Sequence, residues 1–154
     1  MSVVQAFDRG RKEVIKAFFA GSEEVPIGAA VCFDRTVGDA EEADEARGYR
    51  VVKPASANFD NFAGIVSHKG TRSGDGAQTL ELLAPTLRGS LATALVDADC
   101  TIDDTELGLT DGEWHLSAAS SFRVARAMQT KDTSGDAGLV SVALGMAGYG
   151  SDDS

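Results

Sequence analysis

Apolar positions along this chain come in short runs separated by clusters of Gly, Asp, Ser and Thr. No run approaches the roughly 18 apolar residues needed to cross a bilayer. From Tyr49 onward the texture is strand and turn: "YRVVKP" leads through "ASANFDN" into "FAGIVSH". "TLELLAP", "SLATALVDA", "TELGL", "EWHLSA", "FRVARAMQ" and "LVSVALG" follow. The segment "KGTRSGDGAQ" (Lys69–Gln78) reads as a flexible loop and "KDTSGDAG" as a turn. Turn signals at intervals of roughly 8–15 residues predict a sandwich or barrel.

The first part of the chain is more ambiguous. "KEVIKAFFA", the turn-like "GSEE" and "VPIGAAVCFD" read together as a hairpin, with Pro26 and Gly28 suited to the entry of an edge strand. The rival reading is a helix, because Phe7, Val14, Ile15 and Phe18 also share one helical face that Gly21 could end. A short surface helix is marked by Asp39 as cap, Glu42 three residues on and Gly48 as stop. It has almost no apolar face, so Glu41, Glu42, Asp44 and Glu45 read as a solvated charge run. The expected architecture is mainly β: a compact β-sandwich or β-barrel with one short surface helix and an extended N-terminal arm. The arm covers residues 1–12, a single β-domain residues 13–145, and a flexible tail residues 146–154.

Length and charge narrow the picture. A chain of 154 residues makes one domain with a single core. The net charge of −10 is uneven: the first 20 residues hold four basic and two acidic groups, a net +2, which leaves −12 for the rest. An acidic body argues against nucleic-acid binding, which needs a basic patch. The basic start is either part of a solubilised surface or an arm that docks on an acidic partner. Charges at Asp8, Arg9, Arg11, Lys12 and Glu13 fall where a secretory signal needs its apolar region. Cys32 and Cys100 are too few for a disulfide framework and read as two buried thiols, with a single bridge as the alternative.

The richest stretch for chemistry is "DADCTIDDTELGLTDGEWHL" (Asp97–Leu116), which holds seven carboxylates, Cys100 and His115. An EF-hand loop starting at Asp97 fails at its fifth and sixth positions, Thr101 and Ile102. One starting at Asp132 fails at Ala137 and Ala143. An irregular Ca²⁺ or Mg²⁺ site from turn carboxylates stays open. Zinc would need Cys32, His68, Cys100 and His115 to converge, and no two of them are close in sequence. There is no Gly-x-Ser-x-Gly elbow, and "GTRSGDGAQT" lacks the Gly-Lys-Ser/Thr ending of a phosphate loop. The stretch therefore reads as strands alternating with acidic turns, with Asp111-Gly112 as a hairpin turn and His115 pointing outward from a strand.

The order "VPIGAAVCFD", "FAGIVS", "LELLAPTLRGSLATALVDADCTIDDTELGL" and "RVARAMQTKDTSGDAGLVSVALG" resembles the head decoration (capsid cement) proteins of tailed bacteriophages. The likeness covers most of residues 25–145 and lies in strand and turn texture. The resemblance implies a structural, non-enzymatic protein on the outer capsid surface of the virion. It would bind the major capsid protein, usually as a homotrimer, and bridge capsomers, without cofactor, metal, nucleic acid or membrane. The arm candidates for capsid binding are Val3, Val4, Phe7, Arg9, Arg11 and Lys12. Phe18, Phe19, Phe59 and Phe62 are candidates for a subunit interface, with ordinary core as the alternative for each. Two other functions remain in view: a β-sandwich module binding carbohydrate or a cell surface, and a small hydrolase or metal-dependent enzyme.

Overall fold

The computed structural model describes residues 13–35, 43–44, 48–72, 74, 76–85 and 89–145. The arm expected over residues 1–12 and the tail expected over 146–154 lie outside them. The strands are β1 (Val14–Phe19), β2 (Ala30–Phe33), β3 (Ala43–Asp44), β4 (Gly48–Val52), β5 (Phe62–Arg72) and β6 (Gln78–Leu83). They continue with β7 (Ser90–Val96), β8 (Glu106–Leu109), β9 (Leu116–Ser117), β10 (Arg123–Ala127) and β11 (Gly138–Leu144). A short 3₁₀ helix, Ser56–Asn61, precedes β5. The mainly β architecture expected from the turn spacing is what forms.

The strands make two closed sheets. The first runs β1-β6-β5-β2-β4 and closes where β4 pairs in parallel with β1, Ala17 lying opposite Tyr49; β3 is added along β4. The second closes in the order β10-β11-β7-β9-β8. Period-two patterning sets the inward faces. In β1, Ile15, Ala17 and Phe19 join the first core while Lys16 is exposed. In the second sheet, Ala92, Ala94 and Val96 of β7 meet Val140, Val142 and Leu144 of β11 in the other core. A register shift between Arg123 and Ala125 lets adjacent Val124 and Ala125 both reach that core.

One wall serves both cores. Val31 of β2 and Val66 of β5 belong to the first, whereas Ala30, Cys32 and Ile65 of the same strands belong to the second. Leu82 and Leu83 of β6 divide in the same way. That explains why "AAVCF" is continuously apolar instead of alternating: β2 is buried on both faces.

Backbone ties cross the same boundary. The Gly28 amide donates to the Val66 carbonyl at 2.9 Å, and the Gly28 carbonyl accepts from Leu95 of β7 at 2.8 Å. Gly28 sits at φ +88°, and an added Cβ would lie 2.6 Å from Leu139 Cδ2 and 2.9 Å from the Leu95 nitrogen. Only glycine fits there. The β8–β9 connection reaches back in turn. Trp114 buries its indole in the first core, edge-on to Phe19 at 5.3 Å, and its carbonyl accepts from Ala30. Gly112, at φ +75° in the expected Asp-Gly turn, donates to the Pro54 carbonyl, while Asp111 Oδ1 accepts from the Ser56 amide.

Several local expectations are corrected. β1 is a strand, but it does not form a hairpin with β2; β1 pairs with β6 and β4, and β2 with β5 and β4. β2 is thus an interior strand, as its two-sided burial requires. Of the charge run expected to be helical, Ala43–Asp44 pair with β4, and residues 39–42 and 45–47 lie outside the described residues. A helix without an apolar stripe has nothing to pack on, whereas the edge of β4 offers backbone partners. The short helix forms instead at Ser56–Asn61. The expected loop from Lys69 is shorter, because β5 continues to Arg72 and pairs it with Gln78. "EWHLSA" pairs only at Leu116–Ser117, so Trp114 and His115 lie in the bend before β9.

Cys32 and Cys100 are both free and buried, and burial pushes the Cys32 thiol up to about 12. Neither is expected to react with a thiol reagent in the native protein, and both should titrate in denaturant. A single reactive thiol under native conditions would contradict this burial. Replacing Trp114 with Ala removes the ring that joins the two halves and is expected to cost about 3–5 kcal/mol in urea unfolding.

Candidate functional site

Within the Asp97–Leu116 stretch, Asp99 and Asp111 hold turns through backbone amides, and Glu106 pairs across strands. Asp99 accepts from the Thr133 amide through Oδ1 and from the Gly135 amide through Oδ2, each at 2.9 Å, with Lys131 Nζ at 3.5 Å. The Thr133 amide is the first cause holding this carboxyl below its ordinary 3.8. Lys131 in turn donates to the Asp136 carbonyl, and its backbone exchanges two hydrogen bonds with Cys100. Glu106 pairs with Arg126 at 3.0 Å and Arg123 at 3.3 Å. His115 Nε2 lies 3.5 Å from Glu113, and His68, largely exposed, lies 3.5 Å from Glu81. Among the described residues no group of three or more His, Cys, Asp or Glu is placed to hold a metal ion.

A second cluster ties the segment after β1 to the β5–β6 hairpin. Glu24 accepts from Lys69 at 2.9 Å, Gln78 at 3.0 Å and Arg72 at 3.1 Å, while Lys53 pairs with Glu23 at 2.8 Å. Lys69 is the first cause that lowers the Glu24 carboxyl from its ordinary 4.5 to about 2. Lys53 also lies over the Trp114 ring at 5.1 Å. These groups are matched to one another and act as a clamp.

Two further surface features stand out among the described residues. The first is a groove of about 350 Å³ lined by Ile15, Phe33, Asp34, Tyr49, Arg50 and Phe62. Tyr49, half exposed, stands edge-on to Phe33 at 5.4 Å, and the buried Asp34 carboxylate lies 3.1 Å from Arg50 Nε. A concavity with aromatic walls and one ion pair has the size of a small-ligand site.

The second is the outer face of β7 and β11. The register sets Leu91 opposite Ala143, Thr93 opposite Ser141 and Leu95 opposite Leu139. These six positions alternate with the inward residues of both strands, and none is ionisable. Leu91 is 44% and Leu139 50% exposed, with Ile27 and Met128 also exposed. The outer row of the first sheet runs Lys16, Glu81, His68 across three strands, and the row through Leu91 and Ala143 continues on β10 and β8 into Arg126 and Glu106. Exposed leucines stand at both ends of this ladder, while Ala143 of β11 is buried and lies beside Arg126 of β10.

The residues expected to form the arm, Val3, Val4, Phe7, Arg9, Arg11 and Lys12, lie outside the described residues. Of the four expected at a subunit interface, Phe18 and Phe19 are buried within the chain, Phe19 against Trp114. Phe59 and Phe62 are half-buried and pack on the second core, Phe59 beside Phe122 at 5.5 Å. Sequence reasoning missed Leu91 and Leu139, because "SLATALV" and "GLVSVAL" read as ordinary core strands. The signal was present: these strands lack charge at their outward positions as well as their inward ones.

The Glu24 clamp makes acid stability informative. Its folded pKa is depressed, so its contribution is complete above about 4.5 and is lost as pH falls toward about 2. The Glu24→Gln variant should therefore unfold with a shallower pH dependence across that window, as followed by circular dichroism. An unchanged acid limb would show that the clamp does not favour the ionised carboxylate. Comparison with protein-family models, curated proteins and solved structures found no match for this chain.

Proposed function

We propose that the protein is a structural decoration protein that binds the outside of a viral capsid as a homo-oligomer and bridges capsomers. The observation that carries this reading is the pair of exposed leucines, Leu91 and Leu139, on the two strands β7 and β11, which bear no ionisable side chain, in an acidic protein. Glu24, Asp99 and Glu106 are each engaged in ties within the fold, which supports a reading in which the protein acts through its faces. Two closed sheets sharing a wall make a rigid block, which suits a clamp between subunits of a lattice. In this reading Arg9, Arg11 and Lys12, with Val3, Val4 and Phe7, supply a basic and apolar arm toward the major capsid protein.

A second reading, a module that binds carbohydrate or a cell surface, is favoured by the groove beside Phe33 and Tyr49. Aromatic faces at the mouth of a groove can stack on a sugar ring.

Deleting residues 1–12 is expected to leave the fold intact and weaken binding to purified undecorated shells about tenfold, or about 1.4 kcal/mol. The remaining binding should weaken less with added salt than that of the full chain. Undiminished binding by the truncated protein would remove the arm from the proposal. Saturable glycan binding that Tyr49→Ala abolishes, together with no shell binding, would replace it with the second reading.

A further inference from the structure

We propose that the free edge of β7, at Leu91 and Thr93, is where an extended, uncharged segment of the shell protein adds as a strand. The inference rests on the decoration reading above and names the chemistry that one part of the partner must have.

The backbone carries the argument. β7 pairs with β11 along its whole length, but on its other side β9 reaches it only at Val96. The Leu95 amide donates to the Gly28 carbonyl, and the Asp97 amide to the Leu116 carbonyl. These residues therefore turn their backbone groups away from β11. Ladder alternation gives Leu91 and Thr93 the same direction. Both are exposed, and among the described residues nothing bonds to their amides or carbonyls. Two donors and two acceptors thus stand along one edge, repeating at about 7 Å.

Edges that a folded protein leaves unused are blunted by charge, proline, a bulge or extreme shortness. β3, at the rim of the first sheet, is two residues long and includes Asp44. The β7 sequence "SLATALV" has none of these devices, and its register with β11 is unbroken.

The space beside the edge fixes the rest of the partner's chemistry. A groove of about 450 Å³ is lined by Leu91, Ala92 and Thr93 of β7 and by Val66, Ser67 and Leu83 of β5 and β6. None of the residues lining it is ionisable. A charged segment would lose hydration there without gaining an opposite charge, whereas an uncharged one avoids that cost. Donors and acceptors repeating at strand spacing are matched by another extended backbone. Alternate side chains of the added strand would fall toward Val66 and Leu83 and toward exposed Leu91, so small and apolar residues suit both sides. Gly28 bounds the site at one end, since its carbonyl already holds the Leu95 amide.

The test is amide hydrogen exchange of the full chain, free and bound to purified undecorated shells. In the free protein the Leu91 and Thr93 amides are expected to exchange fast, and on the shell to be protected at least about a hundredfold. The Thr93 amide points away from β11, so Thr93→Pro takes a donor from the edge and none from the ladder. This variant should keep the native circular dichroism and bind shells about tenfold more weakly. Thr93→Val, which keeps the amide, should bind as the wild type does. Fast exchange of both amides on the shell, or undiminished shell binding by Thr93→Pro, would overturn the proposal and leave the wider reading in place. Protection already present in the free chain would overturn it too. Protection that deletion of residues 1–12 removes would assign the edge to the chain's own arm, and protection that fades on dilution would assign it to a second copy. If Thr93→Pro unfolds, exchange in the wild type decides alone. Failure of the wild type to bind shells at all would remove the wider reading and this inference with it.

Discussion

The fold depends on burying both faces of the wall made by β2 and β5. Side chains from the two strands point alternately into two different cores: Val31 and Val66 to one, Ala30, Cys32 and Ile65 to the other. A polar residue at any of these positions would enter an apolar interior without compensation. The wall makes the two closed sheets inseparable, since neither core is complete without it. The crossing ties at Gly28 and Trp114 follow from that proximity, and they hold the connection after β8 against the first sheet.

With the cores merged, stability and surface character separate. Charged residues near the loops are matched into clamps, Glu24 with Lys69, Arg72 and Gln78, and Asp99 with the amides of Thr133 and Gly135. In the acidic stretch that looked richest in chemistry, Asp99 and Asp111 tie turns in this way. The two outer faces differ locally, since charge in the second sheet lies on β10 and β8, at Arg126 and Glu106, and not on β7 or β11. One carries the row of Lys16, Glu81 and His68, and the other carries leucines separated by small uncharged residues.

Strand identity was legible in the sequence because most strands are bounded by turn residues and patterned at period two. "TELGL", "FRVARAMQ" and "LVSVALG" lie where β8, β10 and β11 form. The Asp-Gly turn at 111–112 was legible for the same local reason, since its left-handed glycine is a property of the turn itself. Core was one of the two readings the sequence offered for Phe19, but its partner was not legible: Trp114 comes from a segment nearly a hundred residues away. No local pattern encodes that contact.

The sequence by itself determined the class of structure, the position of most strands and the uneven charge, because those depend on spacing, composition and short-range backbone preference. Strand pairing was decided only in three dimensions. "KEVIKAFFA" and "VPIGAAVCFD" are adjacent in sequence and look like a hairpin, yet closing the first sheet places β6 and β4 beside β1 and leaves β2 between β5 and β4. The same is true of the candidate surface. Leu91 and Leu139 came to share the outer side of one ladder only when β7 and β11 paired in this register, since a slip of one residue in either strand would have turned its leucine to the other face.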